Sequence, residues 1–230
     1  MGRRQKQRRS RRIVVFAIVI AVLFSIVALF YFTQSHQQKP VILYVNQGNG
    51  VVNGANFGTM LQFASSHGFN TVFFQIYRQG VLLFSASMLG SFVNETHAQG
   101  MKIFFALYVT NSSQTIPGSV YGLGEDGINL DMSTLNLAAQ ETLLASLEGS
   151  CHCKTAVTTT DMTSPLTPDL LILETYSTAL QQYIRQGVIG SVGVFATSSQ
   201  TDYQSQFQFA LDNGDGVMVF DYAGLMKSGY

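Results

Sequence analysis

Four carboxylates close or directly follow short apolar runs in this chain: Asp131 after "GINL", Asp161 after "AVTTT", Glu174 after "LLIL" and Asp221 after "VMVF". Strands buried on both faces rarely tolerate a charge, so each is either a satisfied structural carboxylate or part of a site at a strand end. Tyr44, Tyr77, Tyr108 and Tyr222 stand near the same run ends. Acids among aromatic platforms suit a neutral, hydroxylated ligand such as a sugar, with tyrosine standing in for the tryptophan this chain lacks. Cleaving a glycosidic bond needs two carboxyl groups flanking it, one protonated as acid and the other ionised as nucleophile or base.

The elements that must position these groups are eight runs rich in Val, Ile, Phe and Tyr: "VILYVN", "TVFFQIY", "KIFFALYV", "GINLDM", "KTAVTTT", "DLLILE", "IGSVGVF" and "VMVFDY". Segments of helical length separate them, clearest at Phe57, Met60, Leu61 and Ala64 and at Leu137, Leu143, Leu144 and Leu147. Several of these segments end at glycine, as in "SSHGFN", "HAQGMK", "RQGVIG" and "DNGDGV", which suits the left-handed end of a helix. Strands alternating with such segments predict an α/β fold with a parallel sheet. Eight of them predict a compact (β/α)8 TIM barrel over residues 41–230, short for a fold of typically ~250 residues. A doubly wound open sheet is the alternative.

Alternation within each strand assigns the faces, since every second residue of a barrel strand points inward. Asn129 and Asp131 are expected inside, with Ile128, Leu130 and Met132 outward. In the second run Phe73, Gln75 and Tyr77 are expected inward, with Val72, Phe74 and Ile76 outward. Ile42, Tyr44 and Asn46 share a face, as do Ile172 with Glu174 and Val219 with Asp221. The polar members fall late in their strands, at the end where barrel active sites are built. Asp131 and Glu174 are the expected catalytic pair because their strands are near one another, with Asp221 orienting substrate or replacing one of them. Tyr44, Asn46, Gln75, Tyr77, Arg78, Tyr108, Asn129, Asp161 and Tyr222 are the expected substrate contacts.

The stretch "GFNTVFFQIYRQGVLLFSASM" resembles the second strand and following loop of glycosyl-hydrolase-like barrel proteins. "HAQGMKIFFALYV" is similar to their third strand, "DGINLDM" to their fourth and "FALDNGDGVMVFDYAG" to their last. The resemblance covers most of residues 41–222 and implies a barrel acting on glycans. "DGINLDMS" also resembles a degenerate form of the family-18 chitinase motif DGxDxDxE. Asn129 takes the place of its second aspartate and Ser133 that of its glutamate.

Charge is divided unevenly along the chain. Seven of the thirteen bases precede residue 13, and Ile13–Phe32 follows with no charge. Twenty residues at 1.5 Å rise span a hydrocarbon core of roughly 30 Å. Residues 1–12 therefore read as a basic cytoplasmic arm, 13–33 as a transmembrane signal anchor and 34–40 as a linker, with the barrel outside the cell membrane. A cleaved signal peptide is the rival, but its apolar region is typically about 7–15 residues and ends in a small-x-small site. Past the anchor, six bases against thirteen acids leave a net charge of −7, which disfavours nucleic acid as a partner.

Cys151 and Cys153 are the only cysteines and make no disulfide framework; they read as a loop pair of free or locally oxidised thiols. The four histidines, at positions 36, 67, 97 and 152, avoid strand ends, so no metal or other cofactor is expected and a metal-dependent deacetylase is disfavoured. Sequons at Asn94 and Asn111 suit an exported surface. The leading expectation is a membrane-anchored barrel acting on an envelope or extracellular glycan through a carboxylate pair. The alternative is a non-catalytic sugar-binding or scaffolding barrel. Composition sets no oligomeric state.

Overall fold

The computed structural model of the protein describes residues 38–49, 52–194 and 200–228. The expected membrane span lies outside them, and among the described residues no helix is long and apolar enough to cross a membrane. All eight apolar runs form strands: β1 (Val41–Val45), β2 (Thr71–Arg78), β4 (Lys102–Tyr108), β5 (Gly127–Asp131), β6 (Lys154–Thr159), β7 (Leu170–Glu174), β8 (Ile189–Gly193) and β9 (Gly216–Phe220). A two-residue strand, β3 (Val81–Leu82), folds back antiparallel on the end of β2. The eight long strands pair in parallel, and β1 hydrogen-bonds to both β2 and β9. That double pairing closes a TIM barrel and sets aside the open sheet.

The helices are α1 (Phe57–Ser66), α2 (Ala86–Ala98), α3 (Leu137–Ser150), α4 (Gln200–Asn213) and α5 (Tyr222–Ser228). Ser85 and Asn136 start α2 and α3 by accepting hydrogen bonds from the backbone N–H groups of Met88 and Ala139. Between β4 and β5, β6 and β7, and β7 and β8 the chain uses loops or short 3-10 turns in place of an α-helix. Those economies let eight strands close within about 190 residues, against the ~250 typical of the fold.

Two cores follow from the alternation. Outside the strands, Val72, Phe74, Ile128, Leu130 and Val219 pack with Phe57, Met60, Phe92 and Leu147 of the helices. Inside, Ile42, Phe73, Phe104, Ala156, Ile172, Ile189 and Met218 fill the barrel. Phe73 stacks on Phe104 with centroids 4.8 Å apart. Gly127 leaves room for that ring, since a Cβ there would run into Phe104 and the carbonyl of Lys154. Further along the strands the inward positions turn polar, with Gln75, Asn129, Asp131, Thr158, Glu174 and Ser191. An apolar floor thus carries a polar layer toward the C-terminal ends of the strands, where barrel sites are found.

One expectation of facing is reversed. A β-bulge interrupts the β2–β4 register between Gln75 and Tyr77, so that Gln75 is opposite Ala106 but Tyr77 is opposite Leu107. The extra residue, Ile76, shifts the side-chain parity by one. Tyr77 therefore joins the outer core and donates to the Thr115 carbonyl at 3.2 Å. Arg78, opposite Tyr108, takes the inner face.

Candidate active site

Asp131 closes β5 on the inner face and is 6% exposed. Both of its oxygens accept hydrogen bonds: Tyr44 Oη donates to Oδ2 at 3.0 Å and Ser133 Oγ to Oδ1 at 3.1 Å. The same Ser133 hydroxyl also lies near Glu174 at the end of β7. Tyr176, beyond Glu174, has its hydroxyl buried in the neighbourhood of Glu174 and Ser191. The rings of Tyr44 and Tyr176 flank Phe220, with centroids 5.2 and 5.8 Å from it.

Burial is the main force on these groups. It pushes the Asp131 carboxyl up to about 6, with the neighbouring charge of Glu174 adding to the rise and the Tyr44 and Ser133 donors opposing it. Glu174 is raised by burial too, with the nearby hydroxyls of Ser133 and Tyr176 opposing the rise. The phenols of Tyr44 and Tyr176 are held well above their ordinary range, first by burial and then by the adjacent carboxylates. Below this layer Thr158 Oγ1 donates to Asn129 Oδ1 at 3.0 Å. The Asn129 Nδ2 is buried without a hydrogen-bond partner among the described residues.

At the rim, Gln75 Oε1 accepts from the backbone N–H of Gln47 at 2.9 Å and so ties the loop after β1 to β2. Arg78 lies over the Tyr108 ring, 5.7 Å from its centroid, with Nη1 3.5 Å from Asn46 Oδ1. Tyr44, Asn46, Gln75, Arg78, Tyr108, Asn129, Asp131 and Glu174 are thus brought to the inner face or its rim.

Four expected site residues go elsewhere. Tyr77 faces outward because of the bulge. Asp221 follows the outward-facing Val219, and its Oδ1 accepts from the Gly224 backbone N–H at 2.8 Å, capping the first turn of α5. Burial raises the Asp221 carboxyl, and the Gly224 N–H opposes the rise. Tyr222, in α5, packs edge-on against Phe63 of α1, with centroids 5.4 Å apart. Asp161 shapes its own loop: its Oδ1 accepts from the backbone N–H and hydroxyl of Thr163, both at 2.9 Å.

Ser133 and Tyr176 join the functional candidates only in the structure. Each lies two residues beyond a strand-ending carboxylate, so carrying the two-residue alternation one step past Asp131 and Glu174 finds both. Metal-ligand atoms come together, among the described residues, at Glu125, Cys151 and Cys153. Those residues precede β5 and β6, at the opposite end of the barrel. The Glu125 carboxylate there accepts from the N–H groups of Gly122 and Leu123 at 2.9 and 2.8 Å, and the two sulfurs are joined in a disulfide.

No protein-family model matches the chain, and no curated protein matches it by sequence. Solved structures do share its fold. The GH113 β-mannanase AaManA of Alicyclobacillus acidocaldarius is similar over 80% of this chain and 86% of its own, with TM-score 0.56 and 9% identity. The noncanonic maltogenic α-amylase AmyB of Thermotoga neapolitana is similar over 82% of this chain and 68% of its own, with TM-score 0.53 and 11% identity. The spore cortex-lytic enzyme SleL of Bacillus cereus is similar over 79% of this chain and 70% of its own, with TM-score 0.52 and 8% identity. At such identities the likeness is one of fold.

Proposed function

We propose that the protein is a glycoside-hydrolase-like barrel that cleaves an envelope or extracellular glycan through Asp131 and Glu174. The observation that carries this reading is two neighbouring carboxyl groups, the buried Asp131 that accepts from Ser133 and the half-buried Glu174, both raised by desolvation. Two like charges so placed do not ionise independently, and over an intermediate pH range the pair holds one proton. A monoanionic pair supplies what the reaction needs: a carboxylic acid to protonate the leaving oxygen and a carboxylate for the opposite face of the sugar. Fold likeness to a β-mannanase and an α-amylase supports a carbohydrate ligand.

Ser133 stands where the resembling chitinase motif has its glutamate, which favours a second reading, a barrel that binds glycans without cutting them. Incubation with a broad panel of polysaccharides and cell-wall fragments separates the two. Released reducing ends that vanish in Asp131→Asn and Glu174→Gln support hydrolysis. Retention of glycans without any release supports the binding module.

The Ile13–Phe32 span and the seven bases before it support a single-pass anchor with the barrel outside the cell. Protease added to intact cells should release the barrel domain, and complete protection of that domain would sink the assignment.

A further inference from the structure

Arg78 is set apart from the other five bases that follow the apolar span. Lys39 donates to the carbonyls of Leu211 and Gly214. Lys102 and Lys154 open β4 and β6, at the end of the barrel away from the site. Arg185 donates to the Tyr183 carbonyl before β8, and Lys227 lies in α5. Arg78 alone among them ends a strand on the inner face. It reaches that face only because the bulge at Ile76 reverses the parity of β2.

Arg78, Tyr108 and Asp131 are register partners across β2, β4 and β5. Two strand spacings put the Arg78 and Asp131 backbones about 10 Å apart, roughly the reach of one or two sugar rings. The guanidinium is also held in place. It lies over Tyr108, it approaches Asn46, and a Cβ on Gly48 would run into it, so a side chain there would push the guanidinium aside. A guanidinium carries five donors, and its hydrogen bonding among the described residues is the single 3.5 Å contact to Asn46. No carboxylate there pairs with it.

A preorganised fork of donors with its charge unpaired, at the rim of a carboxylate-bearing cavity, matches a planar anion in two-point contact. We propose that the glycan accepted by this site carries a carboxylate, and that Arg78 receives it beside the sugar held over Asp131 and Glu174. This rests on the glycan reading above and adds the substrate class. The carboxylate belongs either to a uronic acid or to an acidic ether substituent of an amino sugar.

The test is titration calorimetry of the full chain in detergent at low salt. One arm uses a galacturonic acid tetramer and the other a disaccharide of N-acetylglucosamine and N-acetylmuramic acid. Each is paired with its counterpart whose carboxyl is reduced to an alcohol. The wild type should bind one acidic ligand at least tenfold more tightly than its reduced counterpart, and the arm that shows it identifies the source of the carboxylate. Arg78→Gln should bring that ratio close to one, while Arg78→Lys, which keeps the charge but not the fork, should recover part of it. Gly48→Ala, which keeps Arg78 but displaces it, should also lower the ratio, and it covers the case in which Arg78→Gln does not fold. Equal or tighter binding of the reduced ligands by the wild type overturns the proposal and leaves the glycan reading standing, as does a ratio that survives both Arg78→Gln and Gly48→Ala. Binding of none of the four ligands overturns both.

Discussion

Tyr44 and Asp131 are 87 positions apart in the chain, yet the Tyr44 hydroxyl donates to Asp131 Oδ2 at 3.0 Å inside the barrel. The bond joins the first strand to the carboxylate that ends β5, and it is one of the donors opposing the rise of the Asp131 carboxyl. Tyr44→Phe removes that donor while keeping the ring beside Phe220. The limb of the pH–rate profile that Asp131 sets should then move to higher pH. A hydrogen bond to a charged group is worth about 1.5–3 kcal/mol, so the loss of stability should be of that order at neutral pH and smaller in acid. Rate profiles and denaturant melts of the two proteins check this.

Asp131→Asn tests whether the carboxylate serves chemistry or stability. The folded state holds the Asp131 proton up to about pH 6 against a reference of 3.8. Its contribution to stability is therefore full below about pH 3.8 and is lost as pH rises through about 6. At 1.36 kcal/mol per unit, the difference of 2.2 units amounts to roughly 3 kcal/mol. The variant should lose this pH dependence. At pH 7 it should match or exceed the wild type in stability, by up to about 3 kcal/mol less whatever the bonds to Tyr44 and Ser133 lose. Activity should fall by about 10²–10⁴. Denaturant titrations at acid and neutral pH, run beside the assay, decide it, and a strongly destabilised variant at pH 7 would mark Asp131 as structural.

Glu174→Gln removes the partner charge that helps raise Asp131. Hydrolysis should fall by a similar factor, and added azide should restore turnover if Glu174 is the nucleophile. In that case the wild-type product should first appear with the anomeric configuration of the substrate. Proton NMR of the nascent product reads this directly, and an inverted anomer rejects the retaining assignment.

Asp221→Ala separates a helix cap from a catalytic group. Losing the bond to the Gly224 N–H should cost about 0.5–2 kcal/mol, the usual range for a capping side chain. Turnover at a temperature where both proteins are folded should stay within about threefold of wild type. A loss of several hundredfold with little change in melting temperature would return Asp221 to the catalytic set.

The sequence by itself determined the eight barrel strands, their order and the floor of the barrel. Eight runs of β-branched and aromatic residues, each closed by punctuation, leave few ways to bury both faces. Strict alternation also put Tyr44, Gln75, Asn129, Asp131 and Glu174 on the inner face, because side-chain direction along a regular strand is a local property. Only the tertiary structure decided what that local rule cannot reach. The bulge at Ile76 exchanges Tyr77 for Arg78 at the rim, and a bulge is defined by the register against the neighbouring strand β4. Asp221 and Tyr222 lie beyond the last strand, where the chain turns into α5 and spends them on a cap and on a contact with Phe63. The nearness of Glu174 to Asp131 depends on how the closed barrel brings the ends of β5 and β7 together. The raised carboxyl of Asp131 follows from the water that closure excludes, a quantity set by all eight strands at once.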